Sequence, residues 1–208
     1  MKKAFTLVEM LVVIGIIAIL MGASLGAYSK MTKSADKTRG QEIVSNTATA
    51  LATLFAKEGA WPQVLRENGK TDGRLDKKVA YPLAKGGYMS LSWDGKKNGG
   101  DKELKGLDRF GIVTPWALAH IKSTGDSAAL GDRIVGNSTL QDHILHFALD
   151  LDGDGIIQGA SVGGENVDVR ATAIVWSVGP SGKLEAYSEG IMRDGIYSWT
   201  KGQTRNVK

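Results

Sequence analysis

Apolar and polar positions divide the chain into three stretches. The first is a run of twenty residues without a charge, 10–29, bracketed by Glu9 and Lys30. It carries Val12, Val13, Ile14, Ile16, Ile17, Ile19 and Leu20. A helix of that length spans ~30 Å, the thickness of a bilayer's hydrocarbon core. A helix of a soluble core rarely stays apolar on every face for so long, so the pattern predicts a membrane-spanning helix. In the second stretch Val44, Ala48, Leu51 and Phe55 recur at helical spacing, with Ile43, Thr47 and Leu54 beside them. That is an amphipathic stripe, and Gly59 and Pro62 end it. The two stretches predict one helix from Phe5 to about Glu58, bent or interrupted near Gly40. Its second half lays an apolar face on a globular head. A shared helix would fix head to stalk without a flexible linker.

The third stretch, 59–208, is the head, and it shows no internal repeat. Residues 94–106 are rich in Gly, Lys and Asp and read as an exposed loop. Thr114-Pro115 caps and opens a short helix through Lys122. Residues 143–149 alternate, with His143, Leu145, Phe147 and Leu149 on one face, and predict a strand. Residues 169–178 and 191–200 are further strand candidates, rich in β-branched and aromatic side chains. The fold class is therefore α+β, a long N-terminal helix packed on a small antiparallel β-sheet head.

Composition narrows the function. Apolar residues make up 42% and charged residues 23% of the 208, which excludes global disorder. Setting Lys2 and Lys3 aside leaves twenty-four bases against twenty-two acids, too small an excess to argue for nucleic acid. Cysteine is absent, so disulfides, zinc-thiolate sites and a catalytic thiol are excluded. The 27 glycines, about twice the usual share, predict many tight turns. No Gly-x-Ser-x-Gly, HExxH or P-loop marks a reaction centre, so Ser177 and His120 stay ordinary residues and the chain reads as a non-enzyme.

The N-terminus admits three readings. It is an ordinary secretory signal cut near Ser24 or Gly26, a permanent signal anchor, or a leader cut before the apolar run. Glu9 decides among them. An ordinary signal has no use for an acid at the front of its apolar region, and a carboxylate at membrane depth needs a partner. A cut between Ala4 and Phe5 would create an α-amine one helical turn from Glu9. A neighbouring helix could present the same amine, giving adjacent helices one docking register.

Met1-Lys2-Lys3-Ala4-Phe5-Thr6-Leu7-Val8-Glu9-Met10-Leu11 resembles the processing signal of type IV pilins and type II secretion pseudopilins. The likeness covers about the first thirty residues. It implies a leader 1–4, a transmembrane and fibre-core helix 5–29, an amphipathic continuation 30–58 and a pseudopilin-like head 59–208. It also implies Ala4 at the cut, Phe5 as the methylated N-terminus and Glu9 as the assembly residue. Ala4 stands where that family commonly has glycine, and the apolar helix lacks the proline that many type IV pilins carry. Gly15, Gly22 and Gly26 loosen it instead. The implied partners are other pilin-like subunits, a prepilin peptidase and methyltransferase, an inner-membrane assembly platform and the membrane. The implied place is the inner membrane, single-pass, with the head in the periplasm. A count of Lys30, Lys33, Lys37 and Arg39 against Lys2 and Lys3 favours the opposite orientation. The leader pattern is the more specific signal and outweighs it.

The strongest chemical motif of the head is Asp150-Leu151-Asp152-Gly153-Asp154-Gly155-Ile156. Carboxylates at alternate positions before a glycine turn suit calcium, which takes roughly six to eight oxygen ligands. An EF-hand loop begun at Asp150 would need its bidentate acid at Ser161, so the motif is not a complete EF-hand. Glu165, Asp168 or Asp194 could complete the shell. A plain Asp-Gly turn between strands is the alternative. Heads of type II secretion major pseudopilins often hold calcium, though their motif does not align here. His143 and His146 would point to opposite faces of a strand, which argues against a shared metal. Lys96, Lys97, Lys102 and Lys105 are interleaved with Asp94, Asp101 and Glu103, a solvated loop and no nucleic-acid patch. A calcium-binding adhesion or ligand-binding domain, secreted or anchored by an ordinary signal, is the rival function.

Overall fold

The first helix, α1, runs Leu7–Glu58 and accounts for both helical patterns. The computed structural model describes residues 7–92, 110–118, 134–135, 138–180, 186–188, 191–192 and 195–205. Within these, the side chains of 23–27, 29, 134–135, 138–141, 186–188, 191–192, 201 and 205 lie outside the description. The chain forms two compact units, Met1–Asp36 and Lys37–Lys208.

In the first unit the large apolar residues of α1 from Leu7 to Met21 are between 46% and 82% exposed. They follow one another almost without interruption, so no face of the helix is polar. Among the described residues no helix is long and apolar enough to cross a membrane. The described side chains of the apolar run reach only Gly22, and then Tyr28.

In the second unit α1 becomes amphipathic. Val44, Thr47, Ala50, Leu51 and Leu54 are buried, while Ile43, Ala48 and Phe55 are partly so. The buried seam is thus centred on 44, 47, 51 and 54, slightly rotated from the expected 44, 48, 51 and 55. Thr47 is tolerated at its centre because its hydroxyl donates to the Ile43 carbonyl at 2.6 Å. No break occurs at Gly40, which is helical and buried. A Cβ there would lie 2.6 Å from Ile196 Cδ1 and 2.9 Å from the Trp116 ring. Gly40 therefore serves close packing and not bending. Gly59 ends the helix as the sequence predicts: it takes φ 72° and donates its N–H to the Phe55 carbonyl at 2.8 Å.

Short elements follow: α2 (Gln63–Asn68), β1 (Gly73–Arg74) and α3 (Tyr81–Lys85). Tyr88, just beyond α3, donates to the Glu58 carboxylate at 3.2 Å and receives the Lys57 ammonium over its ring, tying this segment to the end of α1. Residues 115–118 are helical, and the rest of the helix expected through Lys122 lies outside the described residues. So does the predicted loop 94–106 with its lysines.

The β elements are β2 (Ile134–Val135), β3 (Ser138–Thr139), β4 (His146–Leu149), β5 (Ile157–Val162), β6 (Glu165–Val169), β7 (Ala173–Ser177), β8 (Ala186–Ser188), β9 (Ile191–Met192), β10 (Ile196–Tyr197) and β11 (Thr204–Arg205). One sheet has the order β1-β4-β7-β10 and a second the order β11-β6-β5, while β2-β3 and β8-β9 form separate pairs. Every strand pairing among the described residues is antiparallel. The α+β class read from the sequence is the class observed.

The four-stranded sheet lies between two cores. Phe147, Leu149, Ala173 and Val175 join the α1 residues and Trp61, Leu65, Leu75 and Leu83. Ala148, Ile174 and Trp176 face the other way, with Ile157, Ala160, Val162, Val167, Val169 and Trp199. Burial on both faces explains why β4 and β7 are apolar at nearly every position. The strand expected over 143–149 is shorter, beginning at His146. Leu140–His143 form a 3-10 turn instead, and His143 is held there by an N–H from Trp116 at 2.9 Å to its Nδ1. The expected strand 169–178 divides into the end of β6 and β7, and 191–200 into β9 and β10. The β5–β6 hairpin was not expected. Its turn, Gly163-Gly164, has φ 62° and 90°, the paired positive values that a tight two-residue hairpin turn requires.

Candidate functional site

Two sites were expected, and they lie in different units. Ala4 and Phe5 fall outside the described residues. Glu9 is exposed and stands in the first turn of α1. A carboxylate there complements the positive end of the helix dipole, a modest effect of about 0.3–1 kcal/mol.

The acidic loop joins β4 to β5. Leaving β4, Asp150 is buried and fixed at three points. Its N–H donates to the Thr172 carbonyl at 2.9 Å, and its own carbonyl accepts the Trp61 indole N–H at 2.7 Å. Its carboxylate accepts the N–H of Gly153 at 2.8 Å on Oδ1 and of Gly155 at 2.9 Å on Oδ2. The chain can wrap the carboxylate this tightly because Gly153 and Gly155 take φ 78° and 80°. Asp154 accepts the Ile156 N–H at 2.7 Å and the Gln158 side-chain amide at 3.3 Å. Asp152 and Asp154 are exposed, and carboxylate oxygens of all three acids lie within 4.8 Å of one another.

This donor set fits a hard divalent cation in part. It supplies three clustered carboxylates, each oxygen having a second lone pair beyond its hydrogen bond. Gly155 occupies the place where an EF-hand loop requires a glycine for its sharp turn, and it takes the positive φ that requirement implies. The chain then enters β5 and not a helix, so Ser161 lies on a strand and brings no carboxylate. Asp168 does not join the cluster; its Oδ1 accepts the Gly159 N–H at 2.8 Å, at the register shift between β5 and β6. Glu165 is likewise not part of the group of described acids, and Asp194 lies outside the described residues. Backbone carbonyls, the Gln158 amide and water would have to supply the remaining oxygens.

Trp61 is the supporting residue that the sequence did not reveal. It stacks on Phe55 near the end of α1, centroids 4.7 Å apart, while its indole holds Asp150. A contact across 89 positions leaves no local signal. The histidines have separate structural partners. His143 accepts from Trp116, whereas His146 meets the Asp72 carboxylate at 2.5 Å and stacks on Trp176.

Residues 1–25 match the family described as the prokaryotic N-terminal methylation motif. Two curated proteins, both called type IV major pilin protein PilE1 and both from Neisseria gonorrhoeae, are each 28% identical to this chain over 81 residues. The aligned part is 39% of this chain and 49% or 45% of the relatives, so the match spans about half their length. No solved structure matches. The motif and the distant likeness support a type IV pilin-like family for this chain.

Proposed function

We propose that the chain is a structural subunit of a type IV pilus-like or type II secretion pseudopilus fibre. The observation that carries this reading is that the methylation motif over 1–25 overlaps a helical stretch, 7–21, whose apolar surface is exposed on every side. Such a surface needs a non-aqueous neighbour, first lipid and then other helices of its kind. The chain would enter the inner membrane with its N-terminus in the cytoplasm and the unit 37–208 in the periplasm. A prepilin peptidase would cut after Ala4, and Phe5 would be methylated. An assembly platform would then draw the apolar helices together, with Glu9 fixing their register. The role is non-enzymatic, cohesion from helices and function from the exposed surfaces of the second unit. Loss of residues 1–4 from chains recovered in fibres supports this reading; full-length chains in fibres would refute it.

Calcium at Asp150, Asp152 and Asp154 is proposed as a staple for the second unit. Its support is the cluster of three carboxylates around the Gly155 turn. Asp150 is a poor position for the test, because its carboxylate already holds two backbone N–H groups and its loss would loosen the loop without any metal. Asp152 and Asp154 are exposed and suit it better. At a hundred times its dissociation constant, a bound ion stabilises the fold by about 2.7 kcal/mol. Calcium should therefore raise Tm by about 5–10 °C over chelator. The double variant Asp152→Asn/Asp154→Asn should lose that rise. Equal melting of the parent in calcium and in chelator would remove the proposal.

A further inference from the structure

At the end of the apolar run α1 carries a second feature, to which the proposed fibre assigns no role. Tyr28 is 70% exposed, Met31 is 71% exposed, and Lys30 and Lys33 are both exposed. From Met10, where the uncharged run begins, to Tyr28 a helix rises about 27 Å, close to the ~30 Å hydrocarbon thickness. With Met10 near one boundary, Tyr28 reaches the other, the depth at which tyrosine concentrates. Lys30 and Lys33 then stand within about 8 Å beyond it, among the lipid phosphates. Three positions apart, they share one face of the helix. The nearest acid in sequence is Asp36, which is half-buried and three positions past Lys33.

We infer that Tyr28, Lys30 and Lys33 form an interfacial anchor, the two ammonium groups binding phosphate headgroups of anionic phospholipid. The inference rests on the membrane-inserted state proposed above. Two things select lipid over an acidic protein surface as the occupant. The cations follow the uncharged run of the same helix, and the length of that run, 10–29, matches the bilayer. The positive charge that disturbs a simple topology count thus has a physical use, steadying the stored subunit at the outer leaflet.

The test uses the full chain in phosphatidylcholine vesicles containing a trace of spin-labelled phosphatidylglycerol or spin-labelled phosphatidylcholine. The fraction of each label immobilised against the protein is measured at low and high salt. The expected result is a several-fold preference for phosphatidylglycerol at low salt, at most about fivefold per lysine, that fades as salt rises. Lys30→Gln/Lys33→Gln should bring the two lipids towards equality. Lys70→Gln/Lys85→Gln, in the second unit, should leave the preference unchanged. An immobilised shell without preference, or one indifferent to Lys30→Gln/Lys33→Gln, overturns the anchor alone and leaves these lysines to protein contacts. Absence of an immobilised shell for both lipids overturns the membrane-inserted state as well.

Discussion

Replacing Glu9 by alanine should leave the chain cut after Ala4 and held in the membrane, yet reduce its incorporation into fibres by at least tenfold. In the proposed route the cut lies between Ala4 and Phe5, four residues before Glu9, and it would not depend on the Glu9 side chain. Assembly does need it in the proposed fibre. When apolar helices close on one another, the α-amine of Phe5 leaves water. Breaking a buried ion pair by removing one member costs about 3–5 kcal/mol, because the other charge stays uncompensated. Glu9 also complements the helix dipole, but that contribution is about 0.3–1 kcal/mol, less than about fivefold. The size of the defect therefore separates the two roles. Fibre yield relative to cleaved, membrane-held subunit is the quantity to measure, and an unchanged yield would refute the pairing role.

Leu51→Ala should be among the most damaging changes on the α1 face of the second unit. Leu51 is fully buried at the middle of the α1 seam, in the core that includes Phe147 and Val175. Its truncation leaves a cavity that a packed sheet cannot close. Comparable substitutions cost about 2.7–5 kcal/mol, which here lowers Tm by about 10 °C. Thr53→Ala provides the contrast. Thr53 is exposed on the same helix and, among the described residues, donates to the Thr49 carbonyl, so its loss should change stability by less than about 0.5 kcal/mol. Equal melting of the two variants would show that this part of α1 does not hold the core together.

The long helix was legible in the sequence because its signals are local. An uncharged run, a helical stripe and Gly59 each report on their own neighbourhood. The stripe was rotated slightly because Thr47 looks polar in sequence and becomes a core residue by bonding to its own helix. The strands were less legible. His143 belongs to a 3-10 turn since Trp116, distant in sequence, holds its ring. The β5–β6 hairpin has a local sign in Gly163-Gly164, the two-glycine turn that joins its strands. Gly40 resembled a hinge in sequence, and only the positions of Ile196 and Trp116 show it to be a point of close packing. In the acidic loop the spacing of Asp150, Asp152 and Asp154 gave the cluster, and Gly155 its turn. The Trp61 anchor and the commitment of Asp168 to the hairpin depend on tertiary contacts that spacing does not encode.

The intact mass of the protein isolated from its native membrane is the most direct test of the fibre-subunit account. The account predicts a chain that lacks Met1–Ala4 and carries one added methyl group on Phe5. A chain that begins after Gly26, or one that retains Met1 throughout, would contradict it.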